Sequence, residues 1–226
     1  MRRWYPLCLM CVFACKESPP PASSTTTAGD STRRNTTTFS RDSGGSMRLN
    51  LGYGITINER TSLQREWIAA HDSLAPVDLL GTPGIVTAYR SSGSYSYGGY
   101  EARSSYGLQV RDSVVAVEVR FVAFDVWGNP LRTFTATHVE DLPPGQSHQF
   151  DDKWSLSSYD TDVSELYGSI AYVARVRRKN GRTWEANDAP LLEEARRFSV
   201  RFTAEDLLPP NERRGRDSTT DVSTRR

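Results

Sequence analysis

Val114-Val115-Ala116-Val117-Glu118-Val119-Arg120-Phe121-Val122-Ala123-Phe124 is the stretch that decides the fold class. Its residues alternate with period two, and β-branched and aromatic types dominate, which is the pattern of a strand with one face in a core. Val115, Val117, Val119, Phe121 and Ala123 are expected to face that core, and Ala116, Glu118, Arg120, Val122 and Phe124 the other side. Gly128-Asn129-Pro130 breaks the run, so Leu131 to Val139, rich in Thr, reads as the returning strand of a hairpin.

Working outward, Pro143-Pro144-Gly145 marks a turn, Ser147 to Trp154 a strand, and Ile170 to Arg177 another, with Ile170, Tyr172, Ala174 and Val176 on one face. Asn180-Gly181 predicts a two-residue type I′ hairpin, because both central residues of that turn need positive φ. Arg182 to Ala186 returns with Trp184 as a core anchor, and Trp67 to Ala70 and Ile85 to Tyr89 are further strands. Asp188-Ala189-Pro190 opens a helix, since Pro is tolerated in a first turn, and Leu191 to Arg197 is a run of strong helix formers. Leu191, Ala195, Phe198 and Phe202 repeat at helical spacing. Many short strands joined by hairpin turns imply a mainly β fold, an antiparallel β-sandwich with a short C-terminal helix.

Both ends of the chain differ from this block. Met1-Arg2-Arg3 precedes an apolar run from Trp4 to Ala14, closed by Cys15. That run of about ten apolar residues is an export signal by pattern and falls short of the roughly 20 needed to span a bilayer. Residues 15–46 are rich in Ser, Thr and Pro and are expected to be a disordered tether, because they cannot bury enough apolar surface to offset their ordering entropy. Residues 209–226 are polar and charged and are expected to be a disordered tail. The domain itself is taken as 47–208, roughly 160 residues, enough to bury close to 70% of its unfolded surface.

Val12-Phe13-Ala14-Cys15 resembles the lipobox of bacterial lipoproteins. That resemblance implies cleavage before Cys15, a diacylglycerol on its thiol and a further acyl chain, such as palmitate, on its amino group. It thus implies a membrane partner through lipid and a location in the cell envelope. Lys16 after the cysteine is compatible, by the same resemblance, with outer-membrane sorting. Two or more acyl chains make such an anchor stable. A second resemblance lies in the middle. Phe121-Val122-Ala123-Phe124-Asp125 is similar to the signature of bacterial FxLYD domains, in which Asp ends a strand before a Gly-containing turn. Leu142-Pro143-Pro144-Gly145-Gln146-Ser147 with Phe150 is similar to that family's later turn. The match covers Val114 to Val176, and the core is taken on to about residue 186. It implies an immunoglobulin-like sandwich without catalytic residues.

Chemistry-bearing residues are few. All three cysteines, Cys8, Cys11 and Cys15, lie in the leader region, so a mature domain would hold no disulfide. The formal charge of +1 becomes −1 once Arg2 and Arg3 are removed (+1 − 2), which does not suit a nucleic-acid binder. His71, His138 and His148 lack the spacing of a zinc motif, and His138 is expected to face solvent. Asp151-Asp152 and Asp160-Thr161-Asp162 with Glu165 offer carboxylate oxygens but no EF-hand loop. No Ser lies in Gly-x-Ser-x-Gly, and no phosphate-binding Gly loop is present. No cofactor, metal or enzymatic activity is expected. The most suggestive segment is Tyr-rich. Tyr89, Tyr95, Tyr97, Tyr100 and Tyr106 are interleaved with Ser and Gly, the chemistry of adaptable binding loops. Tyr95, Tyr97, Tyr100 and Tyr106 are therefore candidate contacts for a small ligand or glycan, against the plainer alternative of a Tyr-bearing edge hairpin. The leading expectation is a non-catalytic, lipid-anchored envelope protein presenting its sandwich to an envelope protein partner or serving envelope maintenance.

Overall fold

The computed structural model describes residues 36–47, 63–90, 99–156 and 165–212. Cys15, Tyr95, Tyr97, Asp160 and Asp162 lie outside them. Among the described residues ten strands form two sheets: β1 (Thr37–Met47), β2 (Leu63–Asp72), β3 (Val77–Leu80), β4 (Val86–Arg90), β5 (Gly99–Val110), β6 (Val114–Asp125), β7 (Pro130–His138), β8 (Ser147–Leu156), β9 (Leu166–Arg178) and β10 (Thr183–Glu185). A helix, α1 (Asp188–Ala195), and a 3-10 turn at Ala204–Leu207 follow. The first sheet runs β1-β2-β9-β6-β7, with β10 also on β9. The second has β5 at its centre, paired with β8 on one edge and with β3 and β4 on the other. Every pairing is antiparallel except β2 with β9, which is parallel from Glu66↔Gly168 to Ala70↔Tyr172. The expected all-antiparallel arrangement is corrected on that point. The parallel pair needs the long excursion through the second sheet that separates β2 from β9, since parallel neighbours cannot be joined by a tight turn.

The two sheets enclose one core. Val117, Val119, Phe121 and Ala123 of β6, Ala171, Val173 and Val176 of β9, and Tyr106 and Leu108 of β5 meet there, with Trp154 packed alongside. Phe121 sits edge-on to Tyr106 and to Trp154, at 5.4 and 5.8 Å. The predicted inward face of β6 thus holds, except at its start. A register irregularity between Val114 and Ala116 puts Val114 in the core and leaves Val115 half-buried.

The other face of β6 is buried as well, which alternation alone does not reveal. Val122 and Phe124 join Ile68, Ile170 and Tyr172 in a second apolar layer, capped by Leu191 and Ala195 of α1 and by Phe202 and Leu207. β6 and β9 are therefore central strands covered on both sides. α1 begins where the sequence places it. Asn187 accepts a hydrogen bond from the Ala189 amide at 3.1 Å, and Pro190 sits in the first turn. It ends at Ala195, so Phe198 and Phe202 reach the layer from turns and not from a longer helix.

The expected tether boundary also moves. Thr37–Met47 pairs with β2 along ten register positions from Thr37↔Asp72 to Met47↔Leu63. Phe39 packs against the second layer, and Arg41 bridges Glu66 of β2 and the buried Glu194 of α1. A polar, Thr-rich stretch becomes a strand here because a neighbouring edge satisfies its backbone. At the other end Pro209–Glu212 belongs to the fold, where expectation had begun the tail. Glu212 accepts from Arg120 at 3.0 Å and pairs with Arg175. Residues 213–226 lie outside the described part.

The turns follow a common plan. Gly128 donates to the Asp125 carbonyl at 3.1 Å with φ +80°, and Gly181 to Arg178 at 2.9 Å with φ +83°. Each makes a three-residue connection closed by a left-handed glycine. At Asn180-Gly181 this replaces the two-residue turn that the sequence suggests.

Candidate functional site

The polar side chains that the fold gathers lie mainly where strands of different sheets meet. Tyr106 of β5, His138 of β7 and Asp152 of β8 are far apart in sequence and converge at one edge of the sandwich. The Tyr106 hydroxyl donates to Asp152 Oδ2 at 2.6 Å and lies 2.7 Å from His138 Nε2. His138 Nε2 is also 3.1 Å from the same Asp152 oxygen. Since the tyrosine proton goes to the carboxylate, its lone pairs remain to accept, which assigns a hydrogen to Nε2. The imidazole stacks on Phe150 at 3.9 Å. Burial first, and then the Asp152 hydrogen bond and charge, push the Tyr106 hydroxyl well above its ordinary value. It remains a neutral donor throughout the physiological range.

Asp152 takes both donors, and the Nε2 position of the imidazole is occupied. The arrangement acts as a polar rivet between the sheets, joined nearby by Trp154 Nε1, which donates to the Thr135 carbonyl at 2.9 Å. His138 is therefore not the solvent-facing residue expected. Its side chain is 16% exposed, with Nε2 shared between Tyr106 and Asp152.

A second gathering involves His71 of β2, Asp78 of β3 and Arg111. His71 Nδ1 lies 2.9 Å from Asp78 Oδ1, and Arg111 donates to Asp78 Oδ2 at 2.6 Å and to the Asp72 carbonyl at 3.1 Å. Beside it is a narrow opening where β2 stops and β10 starts along the same side of β9. Thr37, Asp72, Asp78, Tyr172, Trp184 and Asn187 line part of it, and its volume of about 10 Å³ suits a single water. A third set, Glu118, Arg120, Arg175 and Glu212, clamps the C-terminal turn onto the outer face of β6. Arg120 Nε donates to Glu118 at 2.6 Å and Arg175 Nε to its other oxygen at 2.7 Å.

The Tyr-rich candidates divide. Tyr106 is 3% exposed and belongs to the core, so it is corrected from a surface contact to a packing and hydrogen-bonding residue. Its place follows from β5, a central strand whose even-numbered residues Ala102, Ser104, Tyr106 and Leu108 all point inward. Tyr100 is half-buried near the start of β5, opposite Tyr89 of β4. Tyr95 and Tyr97 lie outside the described residues. Of the acidic candidates, Asp151 accepts from Ser105 Oγ and Asp152 belongs to the rivet, while Glu165 is exposed. Among the described residues, no three His, Cys, Asp or Glu side chains are placed to hold a metal ion. No helix among them is long and apolar enough to cross a membrane.

Sequence reasoning passed over Trp127. It stands at the tip of the β6–β7 turn, 79% exposed, and Val200 nearby in chain packing is 88% exposed. Asp125 builds that turn, accepting from the Trp127 amide at 2.8 Å, the Asn129 amide at 2.7 Å and Asn129 Nδ2 at 2.8 Å. A large aromatic beside Gly-Asn in a turn was the available signal.

The fold defines the class: a mainly β domain of two sheets, one mixed and one antiparallel, with a short C-terminal helix. No family model matches the chain, and no curated protein does. A solved structure of a hypothetical protein from Peptoclostridium difficile 630 is similar over 53% of this chain and 91% of that one, at 10% identity and a TM-score of 0.35.

Proposed function

We propose that this protein is a non-catalytic envelope lipoprotein, anchored by lipid on Cys15 and presenting an immunoglobulin-like sandwich for protein interaction or envelope maintenance. The observation that carries the reading is the residue order itself: two arginines, a short apolar run, then Val12-Phe13-Ala14-Cys15. The sandwich part is supported by the strand that ends at Asp125, whose carboxylate organises the turn after it, as the FxLYD-like pattern implies. The absence of catalysis is supported by how the histidines are used. His71 and His138 each spend a ring nitrogen on a carboxylate that ties one strand to another.

Mass spectrometry of the amino terminus from a purified membrane fraction tests the anchor. A mature chain starting at Cys15, with diacylglycerol on its thiol and an acyl chain on its amino group, and loss of both modifications in the Cys15→Ser protein, are the expected results. A membrane-free wild-type chain, or a mature terminus elsewhere with an unmodified thiol, would overturn the reading.

A further inference from the structure

The geometry points to a second membrane contact: the paired turns around Trp127 and Val200 form a tip that inserts into the headgroup region of an anionic bilayer. The turns touch. Phe198 stacks on Phe124 at 4.5 Å, and the backbone at Gly128 comes so close to the Phe198 carbonyl that an added Cβ would lie 2.0 Å from that oxygen. Trp127 and Val200 project from the two turns, 79% and 88% exposed, while every other large aromatic among the residues with described side chains is at least partly buried. Between residues 196 and 201 stand Arg196, Arg197 and Arg201 and no carboxylate, and residues 126–129 carry no charge. Arg197 pairs with Glu194 at 2.9 Å and, together with Arg41, balances Glu194 and Glu66, so the tip's positive balance rests on Arg196 and Arg201.

An indole with an apolar body and a polar N–H, beside arginines, is the composition of interfacial anchors. A bilayer fits better than a protein partner, because the tip is convex and a deformable headgroup layer receives a convex tip without a preformed pocket. Anionic lipid supplies the complementary charge. β1 starts near Asp72, at the end of the sheet away from Asp125, so the tip and the start of β1 lie at opposite ends. Residues 16–36 can span up to roughly 70 Å when extended. A sandwich of twelve-residue strands is about 40 Å long, so one bilayer can take both contacts.

This inference takes its setting from the lipid-anchored reading, and the mature chain beginning at residue 15 and carrying Cys15→Ser, free of the apolar leader, tests it without the anchor. Sedimentation with vesicles of phosphatidylethanolamine and phosphatidylglycerol, against phosphatidylcholine alone, is the measurement. Binding to the anionic vesicles only is expected. Trp127→Ala should weaken it about tenfold or more, and Arg201→Gln about fivefold, with thermal unfolding unchanged. Equal binding to both vesicle types, or full binding by Trp127→Ala, would overturn the inference. So would a photo-crosslinker at position 127 that captures a protein and no phospholipid in cells. The vesicle results do not depend on whether Cys15 is acylated, so the two proposals fail separately.

Discussion

Tyr106 joins three strands through one hydroxyl, and its chemistry sets a testable pH dependence. Burial and the neighbouring Asp152 hold its proton more tightly in the folded chain than in the unfolded one. The same direction applies to Tyr172, buried under the C-terminal segment with its hydroxyl 3.2 Å from the Leu207 carbonyl. A group whose folded pKa is raised contributes stability fully present below its unfolded pKa and lost as pH rises through the folded one. The contribution of these two tyrosines should therefore be constant below about pH 9 and fall once the unfolded tyrosines ionise near 10, by up to about 1.4 kcal/mol per pH unit for each. Tyr106→Phe should cost about 1–2 kcal/mol at neutral pH through the lost hydrogen bonds. It should also remove roughly half of the alkaline slope. Urea unfolding from pH 7 to 11 reads both, and an unchanged slope in the variant would show that Tyr106 ionises as freely in the fold as outside it.

The β6–β7 hairpin turns on Gly128, and the element shows why one turn glycine differs from another. Gly128 and Gly145 share a left-handed conformation, φ +80° and +82°. Around Gly145 nothing lies within 4 Å of a built Cβ, whereas at Gly128 that atom would collide with the Phe198 backbone. Alanine at Gly145 should cost about 1–2 kcal/mol, the conformational term alone. Alanine at Gly128 should cost clearly more, at least about 3 kcal/mol, because backbone on both sides has to move. It should also perturb the stacked Phe124–Phe198 pair. Thermal unfolding of the two variants side by side makes the comparison, and equal losses would contradict it. The turn's Asp-to-amide bonds are legible in Asp125-x-x-Gly128-Asn129. The approach of residue 198 is not, because a segment seventy residues on supplies it.

At the scale of the whole molecule, two apolar layers share the central strands. The sandwich core lies between the sheets, and the second layer lies between the first sheet and the C-terminal segment. Leu191, Phe202 and Leu207 are each at most 2% exposed, and full burial of such side chains is worth about 1.5–3 kcal/mol apiece. Their sum rivals the net stability of an ordinary domain, about 5–15 kcal/mol. A chain ending before Asn187 should consequently lose cooperative unfolding and bind a hydrophobic dye through Val122, Phe124 and Ile170. A truncated chain that unfolds at the wild-type temperature would show the sandwich core to be sufficient. The same cover anchors the start of the domain, since Arg41 reaches Glu194 of α1.

The sequence by itself determined the strands that alternate or end in strong turns, the helix start at Asp188, and the inward face of β6 from Val117 on. Those features depend on local backbone preference and on a period of two, both readable within a dozen residues. Only the tertiary structure decided that β6 and β9 are buried on both faces, that β2 lies parallel to β9, and that Thr37–Met47 is a strand. It alone brought Tyr106, His138 and Asp152 together and left Trp127 at an exposed tip. Each of these depends on which distant segment arrives to cover a face, satisfy an edge or share a proton, and such pairings leave no periodic mark in the residues that make them.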